Sequence, residues 1–272
     1  MDPAVAQIAK RQAQTYFGKY RGFVDDNADP DMLGRLRLRV PSIFGETVSA
    51  WALPCLPLGG LADQGLFLLP EIGAQVWVEF EEGNRDKPIW TGTFWRTSDP
   101  PPSEAQLAEP TTRILKTASG HILQFDDADG EERIALAHPN GAILEMKPDG
   151  NVALTDQGGS TLTLDNAGGA LVLEDAGGNT LTMDASGTVI EDKNGNKVEM
   201  APAGITVKGT TITIEGQSVS VGGAGGEPLI KGMSFLSLFM THMHTCTAPG
   251  TPSSPPIPQG EMSTLTTKTT AS

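Results

Sequence analysis

Apolar and polar residues alternate with a period of two along most of the chain, a pattern that predicts strands rather than helices. The alternation is strict in Arg35-Leu36-Arg37-Leu38-Arg39-Val40, which places three arginines on one strand face and three aliphatic side chains on the other. Further strands are predicted at Tyr20-Arg21-Gly22-Phe23-Val24, Ala50-Trp51-Ala52-Leu53, Gln75-Val76-Trp77-Val78-Glu79-Phe80 and Pro88-Ile89-Trp90-Thr91-Gly92. Gly, Pro, Asp and Asn separate these runs, as in Asp25-Asp26-Asn27-Ala28-Asp29-Pro30. Ahead of them, residues 1–15 predict a short helix or arm, with Asp2 as its cap and Pro3 in its first turn.

Five short strands with Gly/Pro turns over residues 16–96 predict a small closed barrel such as an OB-fold. All four tryptophans (Trp51, Trp77, Trp90, Trp95) fall in this stretch and place the conventional core there. Residues 97–111, with Pro100-Pro101-Pro102, read as a linker.

Residues 112–226 are an internal repeat. Aligned on its glycines it reads Gly120-His-Ile-Leu-Gln-Phe, Gly141-Ala-Ile-Leu-Glu-Met, Gly159-Ser-Thr-Leu-Thr-Leu, Gly178-Asn-Thr-Leu-Thr-Met and Gly195-Asn-Lys-Val-Glu-Met. Intervening strands carry the same pattern, and alternation continues through Ile205-Thr-Val-Lys, Thr211-Ile-Thr-Ile-Glu and Ser218-Val-Ser-Val. Each unit offers one narrow aliphatic stripe with nothing inside the unit to bury it, so stacking into a β-helical shaft is expected. A single-chain solenoid, the competing reading, normally needs a wider interior than this stripe offers. Three chains wound about one axis need only such a seam, and an intertwined homotrimer follows, with Leu144, Leu162, Leu164, Leu173, Leu181, Met183 and Val189 as its expected core. The fold class expected for the whole is all-β: an OB barrel, then a trimeric β-helix needle. Residues 227–272 form a tip and tail, where a short amphipathic stretch from Ser234 to Thr241 leads to a Thr/Ser/Pro-rich end.

Composition narrows the function. The formal charge of −14 opposes binding to a phosphate backbone and so speaks against a nucleic-acid partner. Cys55 and Cys246 are far apart and read as free thiols. The first residues show no signal-peptide core and no run approaches a membrane span, so assembly in the cytoplasm is expected. The Gly-Gly pairs at Gly158-Gly159 and Gly177-Gly178 break the spacing of a calcium nonapeptide, which leaves solvated turn aspartates. No nucleophile elbow, P-loop or Cys-x-x-Cys is present, and a non-enzymatic chain is expected. His242 and His244 stand two apart, which aims both imidazoles to one side of an extended strand. Around a threefold axis three such pairs supply six nitrogens, an octahedral set for Fe or another transition metal. Two exposed tail histidines are the competing reading.

Gly22-Phe23-Val24, Asp29-Pro30, Gly34-Arg35-Leu36-Arg37-Leu38, Trp51 with Pro54, Pro70-Glu71-Ile72-Gly73, Val76-Trp77-Val78-Glu79-Phe80-Glu81 and Pro88-Ile89-Trp90-Thr91-Gly92 keep one order and spacing. Together they resemble the OB domain of contractile-tail phage baseplate spike proteins, the gpV/VgrG-like family. His242-Met243-His244, followed by Pro249-Gly250 and Pro252, is similar to a His-x-His motif near some family C-termini. The resemblance implies a trimeric, envelope-puncturing spike in the baseplate of a phage tail, tailocin or related device. It also implies a baseplate hub as partner, iron held through His242 and His244, and a possible PAAR-like capping protein at the tip. Arg35, Arg37 and Arg39 would serve the hub contact, with a plain solvated strand face as the alternative. Two rival functions are a β-helical carbohydrate-binding or carbohydrate-cleaving tail fibre and an oligonucleotide-binding OB module.

Overall fold

The computed structural model describes residues 15–217 and 232–241. It divides into two compact units, Met1–Thr210 and Thr211–Ser272. The predicted helix or arm over residues 1–15 lies, apart from Thr15, outside the described residues.

The first unit opens with a five-stranded sheet of order β2-β1-β4-β5-β3. Its strands are β1 (Tyr20–Asp26), β2 (Arg37–Arg39), β3 (Leu53–Pro54), β4 (Gln75–Phe80) and β5 (Pro88–Thr93), with a one-turn helix α1 (Pro41–Phe44) after β2. The two edge strands do not stay open. Leu36, just before β2, and Ala52, just before β3, exchange both backbone hydrogen bonds at 3.1 and 2.7 Å, which closes the sheet into a barrel. Alternation fills the inside: Val24, Leu36, Leu38, Val40, Ala52, Val76, Val78, Phe80 and Trp90 form one buried cluster. Gly22 lets β1 and β4 approach, since a β-carbon there would stand 2.8 Å from Val78 Cγ2.

Of the four tryptophans, only Trp90 is fully buried, at 3% exposed, and its indole N–H donates to the Gly34 carbonyl at 3.1 Å. Trp51 and Trp77 are half-buried, and Trp95 is 65% exposed. The core therefore lies in the stretch the tryptophans marked, although Trp90 alone of the four is fully buried. Aliphatic side chains from the alternating strands, together with Phe80, fill the rest of the barrel.

Eleven further strands follow: β6 (Thr112–Lys116), β7 (Ile122–Asp126), β8 (Arg133–Ala137), β9 (Ile143–Met146), β10 (Val152–Thr155), β11 (Thr161–Asp165), β12 (Ala170–Glu174), β13 (Thr180–Asp184), β14 (Gly187–Glu191), β15 (Lys197–Ala201) and β16 (Gly204–Lys208). They pair in strict sequence order, every neighbour antiparallel. A single-chain solenoid would pair a strand with one several positions away; here each strand meets only the next, as in a meander. The expected strand at Thr211-Ile-Thr-Ile-Glu has no sheet partner among the described residues and is irregular, and the one expected at Ser218-Val-Ser-Val lies outside them.

The repeat glycines occupy the hairpin turns along one edge. Gly120, Gly141, Gly159, Gly178 and Gly195 all have φ between +79° and +95°, a region that side chains avoid. In each turn the glycine N–H donates to the carbonyl three residues back, as Gly178 does to Asp175 and Gly195 to Asp192. Asn side chains tie neighbouring turns together, with Asn151 Oδ1 accepting from the Asn166 N–H at 2.7 Å and Asn179 Oδ1 from the Lys193 N–H at 3.3 Å.

The second unit contains α2 (Gly232–Thr241), where an amphipathic stretch was expected.

Candidate functional site

Strand pairing brings one residue from each of the eleven strands into a continuous row: Leu115, Leu123, Leu136, Leu144, Leu154, Leu162, Leu173, Leu181, Ile190, Val198 and Val207. Every member is aliphatic. Two residues along each strand, on the same face, a second row runs through Phe125, Ile134, Met146, Val152, Leu164, Leu171, Met183, Met200 and Ile205, with Arg113 at its start and Thr188 the one interruption. Most of these side chains are not covered. Leu181 and Val198 of the first row and Val152 and Leu171 of the second are half-buried, and the other apolar members are exposed, from 37% at Leu123, Leu144 and Leu162 to 72% at Ile205.

At ~4.8 Å per strand the eleven strands extend on the order of 50 Å, so the face far exceeds the few hundred Å² of apolar patch usual on a soluble monomer. The opposite face is mixed. It carries Gln124, Ala135, Glu145, Ala153, Thr163, Val172, Thr182, Val189, Glu199 and Thr206 in its central row. At its start Arg133 bridges Asp126 and Glu145 at 3.0 and 2.9 Å. Burial pushes the Asp126 carboxyl up, but hydrogen bonds from Thr112, Gln124 and Arg133 outweigh it and hold the group below its ordinary value.

The expected core residues sort cleanly by face. Leu144, Leu162, Leu173 and Leu181 lie in the first apolar row, and Leu164 and Met183 in the second. Val189 lies on the other face, opposite Thr182 and Glu199, and its neighbour Ile190 takes the apolar position. Two adjacent β-branched residues leave the phase of a strand open, and only the pairing register fixes it.

The arginine face is already engaged within the barrel. Arg35 grips Asp29 through Nε, at 3.0 and 3.1 Å, and through its terminal nitrogen, which also reaches Asp31. The Arg35 side chain first, then backbone N–H groups of Asp31, Arg35 and Leu33, hold the Asp29 carboxyl far below the usual range against the opposing effect of burial. Arg37 lies over the Trp51 ring, and Arg39 pairs with Asp25 at 3.1 Å. Arg37 and Arg39 keep an exposed side; Arg35 is half-buried.

A second apolar surface was missed in the sequence. The segment from Leu53 to Leu68 leaves Leu58, Leu61 and Phe67 more than half exposed, and its run of leucines with Gly59-Gly60 and a single charge at Asp63 was the available signal.

His242 and His244 lie outside the described residues. Among the described residues His121 and His138 meet edge to face at 4.8 Å across neighbouring turns, and no group of three metal-capable side chains occurs. Cys55 is an exposed free thiol. No helix among the described residues is long and apolar enough to cross a membrane.

Residues 20–95 match the Type VI secretion system/phage-baseplate injector OB domain. Over 41 residues, 15% of this chain, the sequence is 46% identical to the pre-baseplate central spike protein Gp5 of Enterobacteria phage T4. It is 32% identical over 114 residues, 39% of the chain, to the actin cross-linking toxin VgrG1 of Vibrio cholerae. It is 27% identical over 139 residues, 44% of the chain, to the Type VI secretion system spike protein VgrG2a of Pseudomonas aeruginosa. These matches cover 7%, 10% and 16% of the respective relatives, so the chain spans less than a fifth of each. Residues 20–95 are thus similar to an injector OB domain, and the chain's resemblance to baseplate spike proteins and its all-β class both hold.

Proposed function

We propose that the chain is the central baseplate spike of a contractile injection system, a non-enzymatic homotrimer that punctures the target envelope when the sheath contracts. The observation that carries this is the uncovered apolar face of the eleven-stranded sheet. Three copies, each turning that face to a common axis, bury the two aliphatic rows and leave the polar turns and mixed face to water. The backbone bonds of the meander then run along the shaft, so axial load falls on many hydrogen bonds at once. The spike names of the relatives support this reading, as does the injector OB domain.

The barrel is the part expected to meet a hub protein. Since Arg35 is held by Asp29, the arginines with an exposed side for that contact are Arg37 and Arg39, the latter in a surface pair with Asp25, and the exposed leucines of the segment from Leu53 to Leu68 add an apolar surface. At the tip, His242 and His244 of three chains supply six imidazoles, which suit iron or another transition metal; bound there, the ion would cross-link three chain ends. A PAAR-like cap is the alternative finish for the tip.

Two substitutions test the apolar face. Leu162→Asp places three carboxylates at the axis and is expected to abolish the soluble trimer, because unpaired buried charges cost several kcal/mol. Thr163→Asp, one residue along on the opposite face, is expected to leave the trimer intact. Equal behaviour of the two would remove the face from the interface. For the tip, elemental analysis is expected to find one transition metal per trimer, lost in the His242→Ala, His244→Ala double variant; metal retained in that variant would refute the assignment.

A further inference from the structure

Helix α2 is apolar round most of its circumference. Met233, Phe235, Leu236, Leu238, Phe239 and Met240 occupy it, and Ser237 and Thr241 share one stripe, with Thr241 Oγ1 donating to the Ser237 carbonyl at 2.8 Å. Leu236 is 6% exposed, whereas Met233, Phe235 and Leu238 are each more than half exposed. Phe235 and Phe239 stack one turn apart at 6.0 Å.

Two features point to the occupant of this surface. First, between Glu227 and Glu261 the sequence carries one formal charge, Lys231, although the chain as a whole is at −14. Copies of this segment meet without the repulsion that opposes contact elsewhere on the molecule. Second, residues 209–231 tether α2 to the end of β16. In a trimer, a tether of this length gives the three helices an effective concentration on the order of millimolar, far above any dilute partner.

We infer that α2 packs against the α2 of two further copies, a three-helix clasp that sets chain number and register for the shaft. The inference rests on the trimer reading. The shaft needs such a device because its apolar rows repeat nearly the same side chain at every strand, so chains can slip by whole hairpins at little energetic difference. A short helical contact forms faster than non-local strand pairing and fixes the alignment first.

The test compares the full chain with its Phe235→Ser, Leu238→Ser variant. Both are unfolded in guanidinium, diluted, and followed by native mass. The wild type is expected to regain its trimer, and the variant to do so at least tenfold more slowly. A Phe235→Leu, Leu238→Ile variant, which keeps the apolar surface, is expected to recover the wild-type rate. Equal rates for wild type and the serine variant would overturn the clasp while leaving the trimer standing; a monomeric wild type would overturn the trimer reading itself. In a parallel sedimentation with phosphatidylcholine vesicles, the wild-type trimer is expected to stay in the supernatant. Co-sedimentation lost in the serine variant would assign the helix to lipid instead.

Discussion

The turn carboxylates show what single residues contribute to the shaft. Asp192 accepts hydrogen bonds from the Asn196 side chain and N–H and from the Asn194 N–H, at 2.8 to 2.9 Å, and these hold its carboxyl at about 2 against an ordinary 3.8. A folded-state value below the unfolded one stabilises the turn above the ordinary range and is lost as pH falls from about 4 toward 2. Carboxyl titration by NMR is expected to give Asp192 a midpoint near 2, moving up toward 3.8 in Asn196→Ala; an unshifted midpoint in that variant would deny the amide its role. Much at this scale was legible beforehand. The glycines that aligned the repeat are the ones with left-handed backbone, because few other residues sit there without strain. Reading the aspartates as turn residues agrees with their bonding, since Asp175 and Asp192 cap the backbone of their own hairpins. Less was legible where a contact joins distant positions. Nothing near Asp29 in the pattern announces that it binds Arg35, and His121 meets His138 only because two turns on one edge become neighbours.

For the elements, period-two alternation located the barrel strands and most strands of the long sheet, but did not single out β6 or β8 and placed one at Thr211-Ile-Thr-Ile-Glu that is irregular; a strand with one wet and one dry face carries that pattern. It could not say how the strands pair. The repeat is as compatible with a coiled solenoid as with a meander, and the choice follows from turn length: the five-residue turns from Asp156 to Ser160, Asp175 to Asn179 and Asp192 to Asn196 reverse the chain at once and allow only antiparallel neighbours. Phase was ambiguous where two β-branched residues stand together, hence Val189 lies on the mixed face and Ile190 on the apolar one. In the barrel, the tryptophans marked the stretch that holds the core, but only Trp90 enters it. Trp51 serves as a platform for Arg35 and Arg37, and Trp77 packs at a tilt against Phe94 under Arg21.

On the scale of the whole chain, one sheet cannot be its own interior. The barrel closes on itself and buries its aliphatic side chains, but the eleven-stranded sheet turns two rows of Leu, Ile, Val and Met outward along its entire course. That imbalance was visible in the sequence as a stripe narrower than a solenoid normally needs, and the register makes it concrete by aligning one aliphatic residue per strand without a gap. The proposed metal tip was legible only as a spacing of two histidines, because a metal held there would need copies meeting at an axis. Mass of the intact protein under native conditions tests the account most directly. Three chains of 28.6 kDa predict a particle of about 86 kDa that persists on dilution; a stable 28.6 kDa monomer with the aliphatic face still in water would contradict it.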